Sequence, residues 1–401
     1  MSGGLLAACG SSSKSKAAAD TTTSAATATT KPAGPPLKLT LGFIALTDCS
    51  PLVIAKEKGF YEARGLDVTL VKQASWPATR DNLLAGQIDG AHCLSWMPYS
   101  VATSVGGNGS QDLKIAMMLN NNGQAITLEK DMAAAGYGDL AKAKAALEAK
   151  PRTLAMTFPG GTHDLWLRYW LRATGADESK AKIIPVPPPQ MVANMKVGNM
   201  DGYCVGEPWN AVAVAQGIGF THIATQDIWL NHPEKALVVN AKTAADAEAL
   251  HRLILGTLDA CKWLDDLTNR SAAADIIGAP GYVNAPAADI RGRLLGQYDL
   301  GAGLGTKDFK GHQMMFHRGG KTNTPLKSYG IWGLAQYQRL GLLKTTPDYK
   351  ALTDSIVLSD AYAKAAKDFG IDVVDDMQPI DITLDKVTFD PKKPEVEVSR
   401  K

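Results

Sequence analysis

Apolar residues in the first folded part of the chain alternate between the spacing of strands and that of helices. From Leu37, LKLTLGFIAL is typical of a strand, PLVIAKEKGFYEARG of a helix that stops at Gly65, and LDVTLVKQ of a second strand. The helix ATRDNLLAGQ, the strand DGAHCLSW, the helix MPYSVATSVGG and the strand LKIAMMLN continue the series. This alternation predicts an α/β lobe built on a mostly parallel sheet covered by helices.

A second series follows Gln124. It contains a helix over about 140–149, the strand RTLAMTF, a helix from His163, the strand AKIIPVPP, the helix PQMVANMKVGN and the strand DGYCVG. ALVVNA, near residues 236–241, then leads into a long helix over about 244–266 and a mostly helical tail, which we expect to pack on the first lobe. Near the end, DITLDKVTFD alternates like an edge strand, and we expect it on the surface. The pattern predicts lobe I from 37–125 and 237–401, and lobe II from 126–236.

Residues 1–36 have a different composition. Leu6-Ala7-Ala8-Cys9 followed by Gly10 resembles a bacterial lipoprotein signal box, which predicts lipidation of Cys9 and anchoring to a membrane. Residues 10–36 consist mainly of Ser, Thr, Ala, Gly and Pro, so they predict a disordered tether behind that anchor.

Charge and cysteine spacing restrict the chemistry. Lys plus Arg number 42 and Asp plus Glu 40 in 401 residues, so no overall field would recruit nucleic acid. No apolar run reaches the ~18 residues of a membrane helix. Cys49, Cys93, Cys204 and Cys261 show no metal-binding spacing, and we expect neither a metal nor a cofactor.

The turns that follow predicted strands are candidate ligand-binding parts, because clefts in α/β proteins open at the carboxyl ends of strands. Thr47 and Asp48 stand before the first helix as caps or as cleft-lining residues. Trp76, on a turn before Pro77, is expected to line the cleft. For Trp96 core packing is as good an interpretation, and Gln124 offers an amide after the turn NNNG.

The segment TFPGGTHDLWLRYWL, residues 157–171, places Thr162 as a candidate N-cap and His163 at the start of a helix, where backbone N–H groups favour an anion. Three further cleft-lining candidates are Gln190 at a helix start, Glu207 in a turn and Lys235 at the entry to a strand; for Lys235 a solvated lysine is an equal alternative. Amides, hydroxyls, one imidazole and one ammonium fit a small, singly charged oxyanion. An enzyme is disfavoured, because P-loop, G-x-S-x-G and H-E-x-x-H motifs are missing.

The same turns carry a resemblance to a known family. LGFIALTD, KQASWPATRDNL, NGQAI, TFPGGTHDLWLRYWL, VPPPQMVANMKVGNMD, CVGEPWNA and HPEKAL resemble the nitrate-binding lipoproteins of bacterial ABC importers and their bicarbonate-binding relatives. The resemblance implies a type II two-lobed periplasmic binding-protein fold that closes around its ligand. It also implies a lipid-anchored, extracytoplasmic monomer that delivers nitrate or nitrite to the permease and ATPase subunits of an importer.

By this resemblance the nitrate contacts are Trp76, Gln124, His163 and Lys235. Bicarbonate-binding relatives carry an acidic residue in place of the lysine and use calcium, so Lys235 favours nitrate without a metal. A bicarbonate-binding protein that uses calcium and a cytosolic nitrate sensor of the same fold remain the alternatives.

Overall fold

The structure is a computed structural model that describes residue 1 and residues 34–400. Cys9 and nearly all of the predicted tether lie outside the described residues, so the lipidation hypothesis stays a prediction.

Fourteen strands form between residues 37 and 389. Their bounds are β1 Leu37–Phe43, β2 Leu66–Lys72, β3 Gly90–Leu94, β4 Lys114–Asn121, β5 Gln124–Glu129, β6 Arg152–Met156, β7 Ala181–Pro185, β8 Gly202–Gly206, β9 Gly219–Ala224, β10 Pro233–Val239, β11 Gln297–Asp299, β12 Thr306–Asp308, β13 Ile380–Ile382 and β14 Val387–Phe389.

Sixteen α-helices are present in the described part of the chain. Their bounds are α1 Ser50–Glu57, α2 Phe60–Ala63, α3 Trp76–Leu84, α4 Met97–Ala102, α5 Leu140–Glu148, α6 Thr162–Thr174, α7 Met191–Lys196, α8 Trp209–Ala215, α9 Ala241–Ala245, α10 Ala247–Asp265, α11 Arg270–Gly278, α12 Ala287–Leu294, α13 Lys327–Arg339, α14 Tyr349–Ile356, α15 Ser359–Phe369 and α16 Pro394–Val398. None of these helices is long and apolar enough to cross a membrane.

Two five-stranded sheets organise the molecule, one with the order β2-β1-β3-β10-β4 and the other with the order β7-β6-β8-β5-β9. In each sheet one strand runs against the rest: β10 is antiparallel to β3 and β4, and β5 is antiparallel to β8 and β9. The other neighbouring pairs are parallel. The predicted α/β class with mostly parallel sheets is therefore confirmed.

The chain passes between the sheets twice, from β4 to β5 through Asn122 and Gly123, and from β9 to β10. Gln124 and Ala125 already belong to the second sheet, and Pro233 to Ala236 belong to the first. The division at 37–125, 126–236 and 237–401 stays a prediction. In the structure the chain passes from one sheet to the other a few residues before each predicted boundary.

The tail contacts both sheets' helices. α10 and α15 pack beside α1 over the first sheet. However, Tyr169 on α6 of the second lobe donates a hydrogen bond to Asp385, at 2.6 Å, and Leu384 N–H donates to Ile228 O. The tail thus packs on the first lobe as expected, and its last segment also contacts the second lobe.

Two local expectations also need correction, and one strand was not expected. DITLDKVTFD forms the hairpin β13–β14 rather than one edge strand, and Ile380, Ile382 and Phe389 turn inward and are buried. The long helix near 244–266 is divided at Asp246, whose carboxylate caps α10. The sequence analysis missed β9, a wholly buried strand that lacks the alternation of a half-exposed one.

Gly123, in the first crossing between the sheets, has a backbone conformation that residues with a side chain rarely adopt. Its φ is +92°, and an added Cβ would collide with the side chain of Met314. We predict that Gly123→Ala lowers the free energy of unfolding by about 2–4 kcal/mol, from backbone strain and overpacking together. Denaturant titration followed by circular dichroism measures this loss.

Gly86→Ala is the matched control, because Gly86 also has a positive φ, +68°, but nothing lies within 4 Å of its added Cβ. Backbone strain alone predicts a loss of about 1 kcal/mol there. Equal losses for the two variants would contradict the assigned role of the Met314 contact.

Candidate functional site

A charged side chain of β10, Lys235, lies at the centre of a fully buried polar cluster between the two sheets. Its ammonium donates hydrogen bonds to Asp48 Oδ2 and to Glu234 Oε1, each at 2.7 Å, and all three side chains have 0% exposure. The alternative of a solvated lysine is therefore wrong. The hydrophobic pattern could not show whether Lys235 is buried, because a lysine at the start of a strand gives the same sequence signal in either case.

An irregularity in β10 explains why two consecutive residues meet in one cluster. Successive side chains of a regular strand point to opposite faces. The pairing of β10 with β4 shifts register between Pro233 and Lys235 and again between Lys235 and Ala236. Such bulges redirect side chains, so Glu234 and Lys235 contact each other.

Asp48, in the short 3-10 turn before α1, connects residues of both sheets. Its Oδ1 lies 2.6 Å from His92 Nε2 on β3, and its Oδ2 accepts from Gln124 Nε2 on β5 at 3.0 Å as well as from Lys235. Asp48 thus has three donors, which suits an ionised carboxylate. The sequence indicated a cap or a cleft-lining residue, and the structure places it in the cluster.

The hydrogen bonds of His163 fix its tautomer. Its Nε2 lies 2.6 Å from Gln124 Oε1, which only accepts, so Nε2 carries the proton. Its Nδ1 lies 2.5 Å from Thr157 Oγ1 and accepts from that hydroxyl. A neutral His163 therefore uses its one N–H to hold the Gln124 amide in place.

Glu234 lies against the first turns of α6. Its Oε1 accepts from the Thr162 hydroxyl at 2.7 Å, and its Oε2 accepts from Trp166 Nε1 at 3.3 Å. The carboxyl therefore has donors from the second lobe and from Lys235 of the first. The sequence analysis did not select it, although its position beside Lys235 at the strand entry was the available signal.

Trp76, the first residue of α3, adds an aromatic wall. Lys235 Nζ lies 5.9 Å from its ring centroid, and His92 packs beside the indole. Its Nε1 is buried without a hydrogen-bond partner among the described residues. A buried unpaired donor is uncommon and costly.

Burial and charge set the protonation states of the cluster. Burial alone would raise the pKa of Asp48, but Lys235 and His92 hold it below its ordinary value. For Lys235, burial acts to lower the pKa, while the Asp48 and Glu234 carboxylates outweigh it and raise the pKa. Burial and the Lys235 charge place the pKa of His163 well below its ordinary value, so the imidazole is neutral. Lys235 is therefore protonated and supplies the positive charge of the cluster.

Two other predicted residues support the cluster from close by. Thr162 was expected as the N-cap of α6, but Gly161 takes that place and the Thr162 hydroxyl binds Glu234 instead. Thr47 is buried, and its N–H donates to Glu207 O at 2.7 Å, which joins the two lobes next to Asp48.

Three predicted side chains lie elsewhere. Glu207 pairs with Arg293, at 3.4 Å, and accepts from Ala211 N–H rather than contacting Lys235. Trp96 packs against Trp166 and Trp332, which agrees with the core alternative. Gln190 is exposed at the end of the 3-10 turn before α7, so it is not part of the buried cluster.

Two mostly parallel sheets joined by two crossings, with a buried cluster of ligand-type side chains between them, define a two-lobed periplasmic binding-protein fold. The chain belongs to the NMT1-like family, whose model matches residues 32–278.

This chain is similar in sequence or structure to three known proteins. The nitrate/nitrite-binding protein NrtA of Nostoc sp. is 40% identical over 377 residues, which cover 89% of this chain and 84% of that protein. The crystal structure of the periplasmic nitrate-binding protein NrtA from Synechocystis superposes with a TM-score of 0.85 at 36% identity, covering 90% of this chain and 98% of that one. The bicarbonate-binding protein CmpA of Synechococcus elongatus is 29% identical over 381 residues, 89% of this chain and 85% of that protein.

Removing the charge of Asp48 should destabilise the folded protein, because Lys235 would lose one of its two buried counter-charges. We predict that Asp48→Asn lowers the free energy of unfolding at pH 7 by about 3–5 kcal/mol. Folding lowers the pKa of Asp48, so the wild-type advantage is present above about pH 4 and shrinks as the pH falls towards the folded-state pKa. Denaturant titrations between pH 3 and pH 8 measure both effects.

Asp131→Asn provides a control for general loss of a carboxylate. The Asp131 side chain is 47% exposed and interacts with Arg152 and Lys150 in the second lobe. Its replacement should change stability by no more than about 1 kcal/mol. Similar losses in both variants would refute a special role of the buried cluster.

Proposed function

We propose that this chain is the solute-binding component of an ABC importer and that it binds nitrate, or nitrite, between its lobes. The observation that carries the proposal is the buried Lys235 ammonium surrounded by Gln124, His163 and Trp76. Relatives that are 36% and 40% identical over most of their length are named nitrate-binding or nitrate/nitrite-binding proteins, which supports this choice.

The donors of the cluster suit a planar monoanion that only accepts hydrogen bonds. Lys235 supplies the charge, Trp76 Nε1 is unpaired, and His163 Nε2 and the Gln124 amide can turn their N–H groups to an incoming oxygen. Each charge-assisted hydrogen bond contributes roughly 1.5–3 kcal/mol. A few of them therefore suffice for micromolar affinity, about 8 kcal/mol.

Complete burial of the cluster implies that the lobes separate before a ligand enters. Gln124 and His163 belong to the second lobe, while Trp76 and Lys235 belong to the first. An anion between them would replace the bonds that Lys235 makes to carboxylates and would favour the closed arrangement. Binding and release require no covalent step, so we propose a transport protein rather than an enzyme.

Lys235 also argues against the alternative of a calcium-dependent bicarbonate protein. Both carboxylates near the pocket, Asp48 and Glu234, already accept hydrogen bonds from the ammonium. A second cation beside Lys235 would be repelled. We further propose an extracytoplasmic monomer, anchored through lipidated Cys9, that passes the anion to the permease and ATPase subunits.

The direct test is calorimetry with nitrate, nitrite and bicarbonate, each with and without calcium. We predict nitrate binding that calcium does not alter and a loss of at least 100-fold in Lys235→Glu, because the ammonium becomes a carboxylate. Lys182→Glu, an exposed change on β7, should bind as the wild type does. Bicarbonate binding that requires calcium would overturn the proposal.

A finer test removes one donor without changing any charge. We predict that Trp76→Phe weakens nitrate binding about 5–20-fold, the worth of one hydrogen bond to an anion. Trp170→Phe is the matched control: its Nε1 is also buried and unpaired, but its ring packs against His222.

Both tryptophan variants lose a similar volume from the interior, so similar losses of stability are expected. Only Trp76→Phe should change the dissociation constant for nitrate. Equal affinities in the two variants would show that the Trp76 N–H does not reach the ligand.

A further inference from the structure

The charges of the buried cluster do not suit an anion in their present state. Lys235 contributes one positive charge, whereas Asp48 and Glu234 contribute two negative charges when ionised. A bound monoanion would bring the cluster to two net negative charges, without solvent to screen them. One of the carboxyl groups must therefore be neutralised for binding to be favourable.

We propose that nitrate binds together with one proton, that Glu234 holds this proton, and that the protonated carboxyl makes the pocket selective for anions without a hydroxyl. The inference rests on the proposed function. Bulk solvent supplies the proton, which forms an O–H bond on a carboxylate oxygen of Glu234.

The contacts of the two carboxyls distinguish them. Asp48 accepts from three donors, and two of these, His92 and Gln124, are not shared with Glu234. Glu234 shares its Oε1 between Lys235 and the Thr162 hydroxyl, and the bond from Trp166 to its Oε2 is long at 3.3 Å. When an anion takes over the ammonium, Glu234 loses its one charged partner, whereas Asp48 keeps His92 and Gln124.

Among the described residues, Lys235 is the cation that pairs with Glu234. The titratable groups that face it are Lys235 on its own strand, Asp48 before α1 with His92 behind it, His163 on α6 at 3.6 Å, His232 at 3.7 Å and Cys204 on β8. Burial lowers the pKa of His232 to about 3 and that of His163 well below its ordinary value. For Glu234 itself, burial raises the pKa; Lys235 opposes this and Asp48 adds to it, with a net increase.

A protonated Glu234 changes which anions fit. Its hydroxyl joins Lys235, Trp76, Gln124 and His163 in a set of donors, which suits the three oxygens of nitrate. Bicarbonate carries a hydroxyl that needs an acceptor. Keeping the proton on Glu234 removes one of the two carboxylate acceptors, and the other, Asp48, is already occupied by His92 and Gln124. A bicarbonate hydroxyl would therefore be poorly paired, which is costly in a buried site.

Calorimetry at one pH in buffers with different ionisation enthalpies counts the protons taken up. We expect about one proton per nitrate for the wild type at pH 8, and an affinity that falls up to tenfold per pH unit above the pKa of free Glu234. Glu234→Gln keeps a neutral donor, so it should bind nitrate with no proton uptake and no such slope. It should also lose little selectivity against bicarbonate at high pH.

Glu129→Gln is the matched control. Glu129 lies at the far end of β5 from Gln124, and burial raises its pKa to about 7. This variant should keep the wild-type proton count. If Glu234→Gln does not fold, Glu234→Asp should still shift the pH at which the affinity begins to fall, and an infrared difference spectrum of the wild type should show a carboxylic-acid C=O band on nitrate addition.

The possible outcomes distinguish a failure of the proton-uptake inference from a failure of the proposed nitrate binding. Nitrate binding by the wild type with no proton uptake would overturn this inference and leave the proposed function intact. Proton uptake that persists in Glu234→Gln would overturn the assignment to Glu234. The absence of any nitrate binding would overturn the proposed function itself.

Discussion

A buried ammonium that must keep its counter-charges is the constraint on which the rest of this structure depends. Lys235 has no exposed surface, and its hydrogen bonds to Asp48 and Glu234 offset the cost of removing a charge from water. The same bonds draw together the turn before α1, the bulged start of β10 and, through Gln124 and Thr162, the second lobe. The charge pairs of Lys235 and the contacts between the lobes are therefore parts of one cluster, and the binding that we propose requires an anion to compete with carboxylates for one cation.

The connections around the pocket fit such an event. The chain crosses between the sheets at Gly123 and again before Pro233, so residues at the crossings adjoin the cluster itself. Aromatic rings extend the closed contact: Trp166 of the second lobe packs against Trp96 of the first and Trp332 of the tail. The tail adds a polar contact between Tyr169 and Asp385. The buried cluster is thus continuous with an aromatic core that includes residues of both lobes and of the tail.

Sequence reasoning worked best where local chemistry decides the outcome. Trp76 and His163 stand where helices begin after strands, and Gln124 begins β5 at the crossing between the sheets, which is why these residues, far apart in sequence, lie near Lys235. It failed where a local pattern has several tertiary solutions. Gln190 begins a helix as expected, yet it faces solvent, and DITLDKVTFD alternates as an edge strand would but folds back on itself and packs inward.

The sequence by itself determined the class of the fold, most of the helices and strands, and the kinds of side chain that stand at the turns, because periodicity and turn residues act over short distances. Only the tertiary structure decided that Lys235 is buried, that Asp48 joins three elements, and that Glu234 shares the pocket. The last of these depends on a register shift in β10. Adjacent residues of a regular strand face opposite ways, and the bulge that brings Glu234 and Lys235 together is seen only in the pairing of β10 with β4.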